Sequence, residues 1–170
     1  YNSHAFEKAR DELLAQLPQK GVCGVINAGT TLEDSLDCIR LAEQYEYCYA
    51  AAGIHPEDAL VRPENWLEQL EELLKRPKVV AVGEIGLDYH YDLSERDVQR
   101  YWFRRQIQLA NELKMPVIIH SREADQDTMT ILKEEGAFSD ERKSWFEPRK
   151  GPDGQLLADS RVLLHCFSGS

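Results

Sequence analysis

Apolar residues in this chain gather into five short runs, at 22–28, 47–54, 79–82, 117–119 and 162–164, each rich in β-branched or small residues. Runs of this length without polar alternation predict parallel strands buried on both faces. The stretches between them have helical spacing. Residues 32–45 place Leu36, Ile39, Leu41 and Ala42 on one side, and Trp66, Leu67, Leu70, Leu73 and Leu74 follow Pro63, a residue suited to a first helical turn. Ser94-Glu95-Arg96-Asp97 has the form of a capping box ahead of Val98, Trp102, Ile107, Ala110 and Leu113, with Pro116 closing the segment. Strand and helix alternate, which predicts an α/β fold of right-handed βαβ units, either an open doubly wound sheet or a (β/α)₈ TIM barrel.

The strand ends discriminate between the two. His55, Glu84 with Asp88, His120 and His165 stand where successive apolar runs stop. In a barrel the carboxyl ends of all strands meet at one mouth, whereas an open sheet concentrates its site at one switch point. Ionisable residues on four strands therefore favour the barrel. One segment, 138–160, breaks the rhythm with Gly151, Pro152, Gly154 and mixed charges, and reads as a loop insertion. Leading from a helix into a strand, it belongs at the face opposite the mouth. Its Arg142–Lys150 stretch interleaves bases with aromatics, as a single-strand binding surface does, but that position favours a solvated insertion anchored by Trp145 and Phe146. Residues 1–170 form one domain in this reading.

Composition narrows the function. The chain has 170 residues, 42% hydrophobic and 29% charged, and is an ordinary globular sequence. Its formal charge of −10 argues against a basic body that coats nucleic acid, but permits a local phosphate site built on metal ions. No apolar stretch approaches the roughly 20 residues of a membrane span. Cys23, Cys38, Cys48 and Cys166 form no CxxC pair, so a reduced, cytoplasmic protein is expected. The amino end lacks both Met and a signal peptide, and reads as the interior of a longer gene product. No obligate protein partner is indicated.

The strand-end residues suggest chemistry. Glu84, in Gly83-Glu84-Ile85-Gly86-Leu87-Asp88, follows an apolar strand, where a carboxylate must be paired or bind metal. Its structural alternative is a salt bridge to Arg122. Together with His120 and His165, from other strands, it could form a site for a divalent ion. His55 could donate to a substrate phosphate, support the site indirectly, or be purely structural. Arg122 could offer a fork to phosphate, and Asp88, Tyr89 and His90 open a βα loop of the kind that carries binding residues.

Gly53-Ile54-His55-Pro56, the stretch from Gly83 to Asp88, Val117-Ile118-Ile119-His120-Ser121-Arg122 and His165-Cys166-Phe167-Ser168-Gly169 occur together and in order. In these motifs, and over nearly the whole chain outside 138–160, the sequence resembles the TatD family of metal-dependent hydrolases, described as TatD-related deoxyribonucleases. The resemblance implies a TIM barrel with one or two divalent ions (Mg, Mn or Zn) at its mouth. It makes Glu84 a catalytic ligand able to bridge two ions, and His120 and His165 ligands of one of them. It also implies that the chain holds about strands two to six of eight, the family's His-x-His pair lying before Tyr1 and its late-strand Asp after Ser170. The expected reaction is cleavage of DNA phosphodiesters by metal-activated water, with His55 and Arg122 orienting the phosphate and Tyr89 near a base or sugar. The same apparatus would serve hydrolysis of a carboxyl ester, lactone or amide. A catalytically incomplete barrel acting as a binding module is the non-enzymatic alternative.

Overall fold

The computed structural model describes residues 4–60 and 63–166. Its centre is a parallel sheet made of β1 (Val25–Ala28), β2 (Cys48–Ala52), β3 (Val79–Asp88), β4 (Val117–Arg122) and, after a short hairpin of β5 (Arg149–Lys150) and β6 (Leu156–Leu157), β7 (Val162–Leu164). The order in the sheet, β1-β2-β3-β4-β7, is the order in the chain. A doubly wound sheet reverses order at a switch point; a monotonic order is that of a barrel wall. Helices α2 (Leu32–Gln44), α3 (Trp66–Leu74), α4 (Arg96–Glu112) and α5 (Asp125–Glu134) lie in the successive connections.

The two faces of the wall differ. Cys38, Ile39, Leu70, Phe103, Ile107 and Ile131 of the helices join Cys48, Ala50, Ala52, Val82, Ile85 and Ile119 of the strands in one large core. The other face holds a small separate cluster of Ala28, Ala51, Ala81 and Ile118, the first three being ladder partners across β1, β2 and β3. On this face Ile26 is 50% exposed and Leu163, the ladder partner of Ile118, is 55% exposed. The expectation of strands buried on both faces holds for β3 and for the first half of β4, whereas β1 and β7, the outer strands of the sheet, keep exposed residues on the inner face.

Local chemistry sets the element ends. Thr31 caps α2 by accepting from the Asp34 N–H at 3.1 Å, with Glu33 and Asp34 in the first turn. The capping box expected at Ser94 does not form. Helix α4 starts at Arg96 without a side-chain cap, because Ser94 is buried with its hydroxyl turned to the Glu57 carbonyl, 3.4 Å away. Helix α1 (Arg10–Gln16) escapes the apolar pattern because Leu14 is its one buried residue. Strand β3 runs six residues beyond the expected 79–82, so Glu84 and Asp88 lie within it rather than after it.

The 138–160 segment is more ordered than a loop. It contains α6 (Asp140–Ser144), capped by Ser139, and the β5–β6 hairpin, turned at Gly154 with φ of +80°. Its anchor is Arg142 rather than the aromatics. The fully buried guanidinium donates to Ser160 O (2.8 Å), Asn111 Oδ1 (2.6 Å) and Met115 O (2.8 Å), with the Trp145 and Phe146 rings 5.8 and 5.6 Å from it. Met115 and Ser160 precede β4 and β7, which places this tie at the amino-terminal end of the wall, opposite the histidines.

Arg142→Ala strands three half-buried acceptors and leaves a cavity where the buried side chain stood, and is expected to cost about 3 kcal/mol. Denaturant unfolding should show that loss, while binding of Mn²⁺ per folded molecule stays at the level of the unsubstituted protein. An unchanged unfolding midpoint would remove Arg142 as the anchor.

Candidate metal centre

Two glycines let β3 continue past Val82 beside β4. A Cβ on Gly83 would stand 2.7 Å from the Cβ of Ile118, and one on Gly86, where φ is +147°, would stand 1.9 Å from the carbonyl oxygen of His120. Any side chain there would push the strands apart. Register pairs Gly86 with His120, and residues 84, 86 and 88 share a face by the two-residue period of a strand. The imidazole therefore lies over a bare backbone with a carboxylate on each side. His120 Nδ1 is 3.4 Å from Glu84 Oε1, and its Nε2 is 2.8 Å from Asp88 Oδ2.

Two neighbouring strands add the other histidines. Past the end of β7, the His165 N–H donates to Ile119 O at 2.9 Å, and the side-chain Nδ1 reaches the same Glu84 Oε1 at 2.9 Å. Past β2, the His55 N–H donates to Thr30 O at 2.8 Å. Its ring meets that of His120 edge to face, with centroids 4.3 Å apart. One ligand atom each from His55, Glu84 and His120 lie within 4.8 Å of one another. His55, expected as a phosphate donor, thus stands with Glu84 and His120 in a group whose ligand atoms are close enough to share an ion. His165 joins through Glu84 from the rim, its side chain 49% exposed.

Electrostatics keep the carboxylates ionised. Burial alone would raise the pKa of Glu84, but hydrogen bonds from His120 and His165 hold it below the usual carboxylate value. Asp88, 1% exposed, is likewise depressed: burial is outweighed by the Tyr91 and His90 N–H groups and by His120. Burial would lower His120, yet its bonds to Glu84 and Asp88 raise it. His55 goes the other way, pushed down to about 4 by burial and by the neighbouring His120.

Glu84 has no Arg or Lys ion partner among the described residues, which overturns its structural alternative. Arg122 is exposed and lies over the Tyr91 ring, 4.6 Å from its centroid. Tyr89 turns its hydroxyl away from the cluster, donating to Asp127 Oδ2 at 2.6 Å and accepting from Arg100 at 3.0 Å, with Arg96 over its ring. Asp88 is the residue underrated in the sequence. Its Oδ1 accepts from the His90 and Tyr91 N–H groups at 3.0 and 2.9 Å while Oδ2 faces His120. The signal was legible: Glu-x-Gly-x-Asp puts two carboxylates on one strand face astride a gap.

The donor set fits a divalent ion. Imidazole nitrogen and carboxylate oxygen suit Zn or Mn, and a carboxylate on the far nitrogen of a histidine is the arrangement that fixes the tautomer of a metal-binding imidazole. With Nε2–H committed to Asp88, His120 presents Nδ1 toward Glu84.

The chain is similar to several known proteins. Residues 1–170 match the family model "TatD related DNase". The chain is 37% identical over 169 residues to YabD, an uncharacterized metal-dependent hydrolase of Bacillus subtilis, covering 99% of this chain and 58% of that protein. It is 34% identical over 168 residues to the 3'-5' ssDNA/RNA exonuclease TatD of Escherichia coli, again with 99% of this chain and 57% of the relative. The chain thus spans little more than half the length of these relatives. Among solved structures, the TatD homologue YJJV of Escherichia coli superposes with a TM-score of 0.73 at 35% identity, over 79% of this chain and 52% of that one. A TatD family hydrolase of Entamoeba histolytica gives 0.69 at 27% identity, over 75% and 46%. The five-stranded wall is accordingly part of a TIM barrel, and the chain belongs to the TatD-related DNase family of metal-dependent hydrolases.

Proposed function

We propose that this chain carries the metal-binding wall of a nuclease that hydrolyses DNA phosphodiesters, within one partial barrel domain spanning 1–170 and in the reducing cytoplasm. The observation that carries the reading is His120 fixed between two ionised carboxylates, Glu84 and Asp88, at the carboxyl end of a parallel wall. The naming of relatives as single-strand DNA and RNA exonucleases supports phosphate over carbonyl as the target. No helix among the described residues is long and apolar enough to cross a membrane, and the four cysteines are free thiols.

Glu84, His120 and His165 would hold one or two divalent ions (Mg, Mn or Zn), with His55 beside them. A bound ion there supplies Lewis-acid chemistry, activating water and neutralising charge on the phosphate. The protein groups do the rest. Glu84 contributes the negative charge that draws cations together, and Asp88 holds His120 with one nitrogen turned inward. His55 is neutral near pH 7, and its Nδ1 accepts the Glu57 N–H at 3.4 Å. Its proton is therefore on Nε2, where it can donate to a phosphate oxygen. Arg122, exposed on the rim, can fork onto a second phosphate. Tyr89 keeps only part of its ring for a base or sugar.

Glu84→Gln preserves shape but removes charge. Its expected effect is a loss of Mn²⁺ affinity of about 100-fold or more, loss of turnover on single-stranded DNA, and little change in the melting temperature of the metal-free protein. The assay should use the longest product of the gene, with single- and double-stranded DNA, RNA and a carboxyl ester, before and after chelation. Near-normal turnover per folded Glu84→Gln molecule would sink the metal role of Glu84, and preferential ester cleavage would sink the nuclease reading.

The pH dependence of His55 is also specific. A pKa near 4 in the fold against about 6.5 when unfolded means that the unfolded state binds the extra proton between these values. The His55 contribution to stability is full above about 6.5 and is lost as the pH falls toward about 4. NMR titration of the metal-free protein should find one imidazole still neutral at pH 5, absent in His55→Gln.

A further inference from the structure

Two buried glutamines on α4 have no part in the chemistry above, yet each ends on the backbone of a site strand. Gln99 and Gln106 are each 1% exposed and lie seven residues, about two helical turns, apart on one face of the helix. The carboxamide of Gln99 accepts the Asp88 N–H (2.8 Å) and donates to Asp88 O (3.0 Å) and Ser94 O (2.8 Å). That of Gln106 accepts the Ile54 N–H (2.8 Å) and donates to Ile54 O (3.1 Å) and Trp102 O (3.4 Å). Each side chain thus satisfies both polar groups of one residue, as a neighbouring strand would.

The sheet explains why a substitute strand is required there. The β2–β3 ladder stops at Ala52 and Val82, while β3 continues beside β4 as far as Asp88 and Arg122. The Tyr89 N–H points to β4, bonding Arg122 O at 2.9 Å, so the preceding N–H, that of Asp88, points to the side β2 has vacated. Past its own end, β2 leaves Ile54 equally without a ladder partner on that side. A buried peptide group without a partner is costly. The two residues so clamped are the ones that matter to the cluster: Asp88 bonds His120, and Ile54 immediately precedes His55.

We infer that Gln99 and Gln106 are the positioning residues of this site, a two-pronged clamp through which α4 fixes Asp88 with His120 and, separately, His55. This deepens the proposed function and rests on its assignment of His120 as a ligand and His55 as a donor to substrate. The carboxamides act through backbone and touch neither metal nor substrate.

The test replaces each glutamine by Met, close in size but unable to pair, in the full protein, with Leu14→Ala in α1 as a destabilised control remote from the site. Affinity for Mn²⁺ is measured by calorimetry, turnover on single-stranded DNA is measured per folded molecule, and the imidazole ¹⁵N signals are recorded without metal. Gln99→Met should weaken Mn²⁺ binding about tenfold or more, as loss of an outer support does, and shift the His120 signals. Gln106→Met should leave Mn²⁺ affinity within about twofold, shift the His55 signals, and lower turnover about tenfold. Should either Met variant not fold, Gln→Glu at that position keeps the acceptor for the strand N–H and should give the same direction of change. Variants whose affinity, turnover and imidazole signals match those of Leu14→Ala overturn the clamp. If the unsubstituted protein takes up no Mn²⁺, the metal reading has failed, and the imidazole signals alone decide: selective shifts of His120 and His55 uphold the clamp, and unmoved signals refute it.

Discussion

The close approach of β3 and β4 at Gly86 is the constraint on which the site depends. A Cβ at that position would overlap the carbonyl oxygen of His120, so only a glycine allows the register in which His120 faces the gap between Glu84 and Asp88. Everything polar at the mouth follows from this register. Either carboxylate alone in so buried a place would take up a proton rather than stay charged. The imidazole between them, together with the Tyr91 and His90 N–H groups on Asp88 and His165 on Glu84, changes the balance, holding both acids ionised and being held in turn in one orientation.

The wall separates two jobs along the strand direction. At the amino-terminal end, Arg142 ties the segment before β7 to the turn before β4 through neutral oxygen acceptors. At the carboxyl end, the histidines and carboxylates converge from β2, β3, β4 and β7. The division is the one expected of a (β/α)₈ barrel, whose strand exits carry chemistry while the opposite face carries packing. The alanines at Ala28, Ala51 and Ala81 leave the inner face of β1 to β3 shallow, while the bulky side chains of the same strands face the helices.

Much of this was legible because burial and period act locally. Five apolar runs marked five strands of the sheet, and ionisable residues at their exits marked the mouth. What sequence pattern could not show is where a strand stops. A rule that ends β3 at its last consecutive apolar residue misses the continuation through Gly83, Glu84 and Gly86, since it is β4 that supplies the hydrogen bonds there. The same blindness hid Ser94, which has the sequence of a cap and the environment of a core residue. It also hid Arg142, which resembles the surface bases around it until its three acceptors are assembled by the fold. The resemblance in the motifs correctly named the family. It did not place His55 inside the cluster, a fact that depends on the edge-to-face contact with His120.

The polar groups behind the mouth form a nested set in which each member is held by the next. Glu84 is bonded by two imidazoles; His120 is held by Asp88; Asp88 accepts two backbone N–H groups; its own peptide is paired by Gln99. In a low-dielectric interior such a network is tolerable only when it is fully satisfied, and a satisfied one has a single geometry. Precision at the centre is thereby drawn from strands and one helix, elements too rigid to adapt to different substrates. Adaptability must come from outside the network. The exposed groups there are Tyr91 with Arg122 over its ring and His90 bonded to Glu123; the His90 and Tyr91 N–H groups meet the network at Asp88 Oδ1, and Arg122 meets it at the end of β4. On the proposed function, side chains on that rim would vary substrate preference while Glu84 and His120 keep their geometry.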